Sequence, residues 1–253
     1  MLNNSQMEAD FFPFILTWFL RLKKYSSAGK IIPQLGVDVC SHNQMKKHIV
    51  IEGIHGSGKT SIAKALADRL VQQWLQATYY HFPDENDPLG QIIRSTLTEK
   101  QLVKQREVIG LLYAAFANRF HIRTKSDNIF YVQERDSVTT GLVFQSSIPR
   151  ETRLQIYRQA IENLQTQGIV VYVRANIETA RERMQKRNAN LFSEGGVRTD
   201  KAKDLFVAEE FENLSLRYEK EMFPGLDQMG IPYLIVENDG TIEECVEKIF
   251  QQL

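Results

Sequence analysis

The sequence is poor in cysteine, and its opposite charges balance. Its 253 residues include two cysteines, Cys40 and Cys245, which lie far apart and outside any CxxC pair. Neither a disulfide framework nor a zinc site is indicated, so we expect a reducing compartment, the cytoplasm by default. Lys plus Arg and Asp plus Glu number 31 each, so the formal net charge is zero. This balance argues against a protein that binds nucleic acid through an overall basic field.

Long apolar runs are also missing. No stretch of 18 apolar residues occurs, so the sequence predicts no membrane span. The most apolar segment, residues 11–20, is interrupted by Pro13, and the charges around it do not fit a secretory signal. Turn-forming residues follow, and a compact apolar run begins after Met45. We therefore predict an accessory or poorly ordered extension over residues 1–44 and a folded domain over residues 45–253.

From His48 onwards, short apolar runs alternate with longer segments of helical spacing. The short runs are rich in Val, Ile, Tyr or Phe and predict buried strands at residues 48–52, 78–82, 129–132, 169–173 and 233–236. The helical segments cover residues 59–77, 100–125, 151–166, 177–187, 203–223 and 241–253. In the first of these helices, Ile62, Leu66, Leu70 and Trp74 share one stripe. The alternation predicts an α/β fold with a parallel sheet that helices cover on both faces.

A glycine-rich loop between the first predicted strand and the first predicted helix is the strongest motif. It reads Gly53-Ile54-His55-Gly56-Ser57-Gly58-Lys59-Thr60 and fits G-x-x-x-x-G-K-[ST] without a gap. Glycines let successive backbone N–H groups point at a polyphosphate, and the helix N-terminus that follows favours the anion. Lys59 is placed to reach the β- and γ-phosphates, and the Thr60 hydroxyl to ligate Mg²⁺. The loop therefore predicts a site for a nucleoside triphosphate.

Four segments resemble the thymidylate kinase family of P-loop nucleoside monophosphate kinases. They are residues 49–60, Phe82-Pro83 with the Leu89-Gly90 pair that follows, residues 129–136, and residues 180–187. Their order along residues 46–253 carries the resemblance. It implies a three-layer P-loop NTPase sandwich with a five-stranded parallel sheet, a mobile lid over about residues 187–199, and a homodimer.

The resemblance implies transfer of a phosphoryl group from ATP to dTMP. ATP, the phosphate donor, would be held by Lys59 and the rest of the loop from Gly53 to Thr60. Mg²⁺ would be held by Thr60 and Glu134. Arg135 follows the third predicted strand, where α/β proteins bind ligands, and would hold the phosphate of the acceptor. A structural ion pair between Glu134 and Arg135 is the alternative.

The lid and the acceptor pocket complete the implied site. Because the loop has Gly56 where some members carry a catalytic arginine, the resemblance assigns that arginine to the lid, at Arg187 or Arg198. For either residue, a solvated helix face is an equal explanation. The positions that correspond to acceptor binding, besides Arg135, are Phe82, Pro83, Tyr113, Phe116 and Arg119. For the aromatic residues, core packing competes equally.

Departures from the family pattern concentrate on the acceptor side. His55 stands where the family has an acidic residue, Glu85 where it has an arginine, and Gln145 lies one residue later than the family's base-reading glutamine. Two alternatives therefore stay open. One is a deoxynucleoside kinase, which the Glu134-Arg135 pair also resembles. The other is a nucleotide-binding protein without catalytic activity.

Overall fold

The computed structural model describes residues 46–84, 86–98, 110–115, 129–145, 148–193 and 208–253. Five parallel strands form one sheet in the order β2-β3-β1-β4-β5. The strands are β1 (His48–Glu52), β2 (Ala77–His81), β3 (Phe130–Glu134), β4 (Gly168–Arg174) and β5 (Tyr233–Glu237). All five predicted strands are present with small shifts at their ends, which confirms the predicted α/β fold with a five-stranded parallel sheet.

Helices follow and flank these strands. They are α1 (Lys59–Gln72), α2 (Pro88–Thr98), α3 (Ser137–Phe144), α4 (Arg150–Ile156), α5 (Arg158–Gln167), α6 (Ile177–Ser193), α7 (Ala208–Arg217), α8 (Phe223–Met229) and α9 (Ile242–Phe250). A π-helical segment, Tyr218–Met222, joins α7 to α8, and residues 110–115 are also helical. Within the ranges that the structure describes, every helix is too short or too polar to cross a lipid bilayer.

Two apolar cores lie on the two faces of the sheet. Successive strand side chains point to opposite faces, so Ile49 and Ile51 of β1 pack towards α1 and α9, while Val50 packs towards α3, α5 and α8. All three side chains have no exposed surface. Because both faces of the central strands are covered, apolar residues follow one another directly, as over residues 49–51 of β1 and 169–173 of β4, rather than at every second position.

The carboxyl ends of the strands meet at one edge of the sheet. In the register of the sheet, Ile51 of β1 lies opposite Glu134 of β3, and Glu134 lies opposite His81 of β2. On the other side of β1, Glu52 lies opposite Tyr172 of β4. Polar side chains at the ends of three neighbouring strands are thus brought together beside the glycine-rich loop, which places the candidate site at this edge.

Helix α1 ends earlier than the sequence predicts, and Trp74 does not belong to its apolar stripe. The helix ends at Gln72, and Trp74 is 97% exposed. Its backbone is left-handed, with φ of 61°, while the Leu75 amide donates to the Leu70 carbonyl at 3.2 Å. This is the hydrogen-bond pattern of a Schellman motif, which ends a helix by reversing the chain direction. The predicted burial of Trp74 is therefore wrong, while Ile62, Leu66 and Leu70 are buried as predicted.

Other helix limits also differ from the prediction. The segment 151–166 is divided between α4 and α5, and the described part of the segment 203–223 is divided between α7, the π-helical segment and the first residue of α8. Helix α3 was not predicted, because nearly all of its residues are buried and no polar face marks its period. Helix α6 continues to Ser193, so the first residues of the predicted lid are helical. The rest of the lid and the extension 1–44 lie outside the described residues.

Candidate active site

The glycine-rich loop turns tightly between the end of β1 and the start of α1. Gly56 and Gly58 have φ of 77° and 89°, in the left-handed region that favours glycine. A Cβ at Gly56 would lie 2.1 Å from the Ala180 carbonyl oxygen of α6, and one at Gly58 would lie 2.5 Å from Asn238 Nδ2. Any side chain at Gly56 would therefore collide with α6, which explains why the loop carries no arginine there.

Lys59 holds the loop in its curled shape. Its side chain is buried, and its Nζ donates to the Ile54 carbonyl at 3.2 Å, across the loop. The Ser57 amide donates to the same carbonyl at 3.2 Å. The Ser57 hydroxyl is buried and has no hydrogen-bond partner among the described residues. A curled loop with a lysine at the start of the following helix fits a polyphosphate, which offers acceptor oxygens to the ammonium and to the loop amides.

Thr60 and Glu134 lie side by side at the mouth of the loop. The Thr60 hydroxyl donates to Glu134 Oε1 at 2.9 Å, and the Tyr79 hydroxyl donates to Glu134 Oε2 at 2.8 Å. Burial alone would raise the pKa of Glu134, but the charge of Lys59 and the hydrogen bond from Tyr79 outweigh it, so the pKa lies below its ordinary value. An ionised carboxylate beside a threonine hydroxyl is an oxygen donor set that suits Mg²⁺.

Arg135 is half-buried and lies next to the loop. Its Nη2 lies 3.4 Å from His55 Nε2, so the guanidinium donates to a ring nitrogen of the phosphate loop. Its backbone is left-handed, with φ of 64°, and its amide donates to the Ile51 carbonyl at 3.0 Å. The structure therefore brings the predicted acceptor-phosphate arginine to the same edge as the predicted donor loop. No ion pair with Glu134 is found among the described residues.

Behind Arg135 lies a buried carboxylate that the sequence reasoning missed. Glu52 is 1% exposed and accepts hydrogen bonds from the Thr139 hydroxyl, from the Asp136 amide at 3.2 Å, and from the Tyr218 hydroxyl at 3.0 Å. Burial raises its pKa, against the charge of Arg135. A charged residue that ends an apolar strand directly before the loop was a signal that could have found it.

Asn238 is a second residue that was missed. It directly follows β5, and its Nδ2 donates a hydrogen bond to the Ser57 carbonyl at 2.6 Å, which supports the loop. From α6, Arg183 Nη1 lies 3.5 Å from the Gly56 carbonyl, a long hydrogen bond. The rule that ligands bind at the carboxyl ends of parallel strands could have flagged Asn238.

The predicted acceptor-pocket residues are only partly described. Phe82 and Tyr113 are buried and pack edge to face, with ring centroids 5.0 Å apart. Gln145 is buried as well; its Oε1 accepts from the Tyr157 hydroxyl at 2.7 Å, and within the described ranges its Nε2 has no partner. The side chains of four predicted site residues lie outside the described residues: Phe116, Arg119, Arg187 and Arg198.

Comparison with known proteins finds matches to one family. The model of a family described as thymidylate kinase matches residues 51–213. A probable thymidylate kinase of Methanococcus aeolicus is 28% identical over 215 residues, which cover 83% of this chain and 96% of that protein. A probable thymidylate kinase of Methanococcus vannielii is 30% identical over 158 residues, 58% of this chain and 70% of that protein. The thymidylate kinase of Schizosaccharomyces pombe is 37% identical over 67 residues, 26% of this chain and 31% of that protein.

Proposed function

The chain belongs to the thymidylate kinase family, and from that premise we propose that it transfers a phosphoryl group from ATP to dTMP, giving ADP and dTDP. Membership makes the chain a phosphotransferase with ATP as its phosphate donor. The observation that carries the proposal is the meeting of Thr60 and Glu134 with Arg135 and His55 at one edge of the sheet. Phosphoryl transfer requires such a site, in which two phosphate groups are held in line and their charge is neutralised.

On the donor side, the loop residues would bind the triphosphate. The backbone N–H groups of residues 53–60 and the Lys59 ammonium would hold its phosphate oxygens. Thr60 and Glu134 would hold Mg²⁺. The ion, when bound, neutralises charge on the β- and γ-phosphates.

On the acceptor side, Arg135 would bind the phosphate of dTMP. Its guanidinium can donate two parallel hydrogen bonds to a phosphate, which fixes both distance and orientation. The proposed pocket for the nucleoside still consists of Phe82, Pro83, Tyr113, Phe116 and Arg119. An arginine of the lid, Arg187 or Arg198, is the proposed group that stabilises the phosphoryl group during transfer. The lid would close over the phosphates and exclude water.

Three further properties belong to the proposal. A homodimer rests on the family resemblance alone. Absence of nucleic-acid binding rests on the zero net charge, and a cytoplasmic location rests on the low cysteine content.

A panel of acceptors tests the proposed reaction. The chain is incubated with ATP, Mg²⁺ and one of thymidine, dTMP, dUMP or dAMP, and ADP release is followed in a coupled assay. We expect release with dTMP and none with thymidine. Release with thymidine alone would instead identify a deoxynucleoside kinase, and ATP binding without any release would identify a non-catalytic relative. The matches to thymidylate kinases do not favour either alternative.

A further inference from the structure

Arg135 has a backbone conformation that a non-glycine residue seldom adopts. Its φ of 64° lies in the left-handed region, where the Cβ crowds the following carbonyl oxygen. Such conformations persist where the surrounding contacts fix the backbone, and they cluster at functional sites. The contacts that fix this backbone therefore also determine where the guanidinium points.

Two hydrogen bonds to the end of β1 fix the peptide groups on either side of Arg135. The Arg135 amide donates to the Ile51 carbonyl at 3.0 Å, a backbone contact that no side chain controls. The next amide, of Asp136, donates to Glu52 Oε1 at 3.2 Å. The second hydrogen bond therefore depends on the Glu52 side chain. Loss of this bond would allow the Arg135 backbone to relax to a commoner conformation.

Glu52 is itself held from two further elements. Thr139, in the first turn of α3, donates its hydroxyl to Oε1, and Tyr218, in the π-helical segment, donates its hydroxyl to Oε2 at 3.0 Å. Glu52 is buried, and both of its carboxylate oxygens already accept hydrogen bonds from protein groups, so we assign it no direct contact with a nucleotide. A buried carboxylate is costly unless hydrogen bonds and positive charges compensate it, and here three donors and the charge of Arg135 offset only part of the cost, so the pKa of Glu52 stays raised.

We propose that Glu52 is a positioning residue for the acceptor: its carboxylate fixes the backbone after Arg135, so that the guanidinium is aimed at the phosphate of dTMP. This inference rests on the proposed function. It predicts that a substitution of Glu52 weakens binding of the acceptor and changes binding of ATP little, although Glu52 directly precedes the donor loop.

The test compares Glu52→Met with Glu52→Gln in steady-state kinetics. Methionine has a similar size but cannot accept hydrogen bonds, so we expect the KM for dTMP to rise about ten-fold or more while the KM for ATP changes less than about two-fold. Glutamine can still accept from the Asp136 amide, and the Tyr218 hydroxyl can reverse its hydrogen bond. Glu52→Gln should therefore keep the KM for dTMP within about three-fold of the wild type.

Thr139 offers a milder matched pair. Thr139→Val removes the hydroxyl that donates to Glu52, whereas Thr139→Ser keeps it. If Glu52→Met fails to fold, Thr139→Val serves in its place: its KM for dTMP should rise, by less than is expected for Glu52→Met, while its KM for ATP stays nearly unchanged. Thr139→Ser should match the wild type in both values.

A double-mutant cycle with Arg135→Ala separates positioning from a merely structural role. If Glu52 acts through Arg135, the effect of Glu52→Met on the KM for dTMP disappears when Arg135 is already alanine. Equal increases in both KM values, or additive effects in the cycle, would overturn the inference. A wild-type chain that releases no ADP with dTMP is a separate result: it refutes the proposed function, and the inference falls with it.

Discussion

On the donor side of the site, the loop and its first helical turn form one continuous segment of eight residues, whereas on the acceptor side Arg135 is held by residues from β1, α3 and the π-helical segment. The hydrogen bond between Glu52 and Tyr218 joins positions 166 residues apart. The donor loop itself is therefore specified by local sequence, although Glu134 and Asn238 contact it from distant positions, whereas the position of Arg135 depends mainly on residues distant in sequence. Substitutions on the two sides should accordingly change different kinetic parameters.

The two sides also differ in the state of their carboxyl groups. On the donor side, the charge of Lys59 helps to lower the pKa of Glu134. Beside Arg135, burial raises the pKa of Asp136 to about 6. The charge of Lys59 and the hydrogen bond from Tyr79 keep the first group ionised, while burial favours the protonated form of the second. The pH dependence of stability should therefore have opposite signs for the two groups.

The largest expected effect is on the donor side. Lys59→Ala should lower kcat by about 10³-fold or more, because the ammonium that neutralises the phosphate charge is lost. Steady-state ADP release with saturating dTMP measures this. Lys248→Ala, at an exposed lysine of α9, serves as the control and should keep wild-type turnover. Near-normal activity of Lys59→Ala would contradict the proposed mechanism.

A smaller loss is expected at the proposed magnesium site. Glu134→Gln should lower kcat by about 10²-fold and shift the half-saturating Mg²⁺ concentration upwards, since an amide lacks the charge that binds the ion. Titration with Mg²⁺ at fixed ATP gives this value. Tyr79→Phe removes a hydrogen bond to Glu134 but leaves its charge, so its Mg²⁺ curve should stay close to that of the wild type. An unchanged curve for Glu134→Gln would refute the assignment.

Asn238 provides the donor-side counterpart of Glu52. Asn238→Ala removes the hydrogen bond to the Ser57 carbonyl, so the loop loses support and the KM for ATP should rise about ten-fold with little change in the KM for dTMP. Asn238→Asp keeps the size but cannot donate, and it should behave in the same way. If the Asp variant retains the wild-type KM for ATP, this hydrogen bond does not position the loop.

The last expected effect is on stability rather than on kinetics, and it separates the two sides by pH. Asp136 has a pKa of about 6, above the ordinary value of 3.8, so the folded state binds more protons than the unfolded state between these values. Its contribution to the free energy of unfolding therefore falls as the pH rises from about 4 to about 6, by about 3 kcal/mol in total.

Asp136→Asn should remove this slope while keeping the helix cap, since asparagine also caps α3. Urea unfolding of both proteins across this pH range measures the difference. Glu134, with its lowered pKa, acts in the opposite sense. Its contribution to the free energy of unfolding is present above pH 4.5, the ordinary pKa, and is lost as the pH falls through the lowered pKa. Parallel pH profiles for the wild type and Asp136→Asn would contradict the assignment.

The sequence was sufficient to predict the sheet, the loop and the family, because each depends on short-range pattern. Lys59 and Thr60 follow from a fixed spacing, and the five strands follow from apolar runs. Glu52 and Asn238 were missed although their places at strand ends were visible in the sequence, because the contacts that give them a role join them to distant residues. It also misplaced Trp74, because helical spacing continues past Gln72 although the backbone reverses there.

The central claim is that this chain moves a phosphoryl group from ATP to dTMP, and ³¹P NMR of the reaction tests it most directly. With ATP, Mg²⁺ and dTMP in equal amounts, the account predicts that the β-phosphorus signals of ADP and dTDP appear together and in equal intensity. Release of inorganic phosphate without dTDP, or a spectrum that does not change, would contradict it.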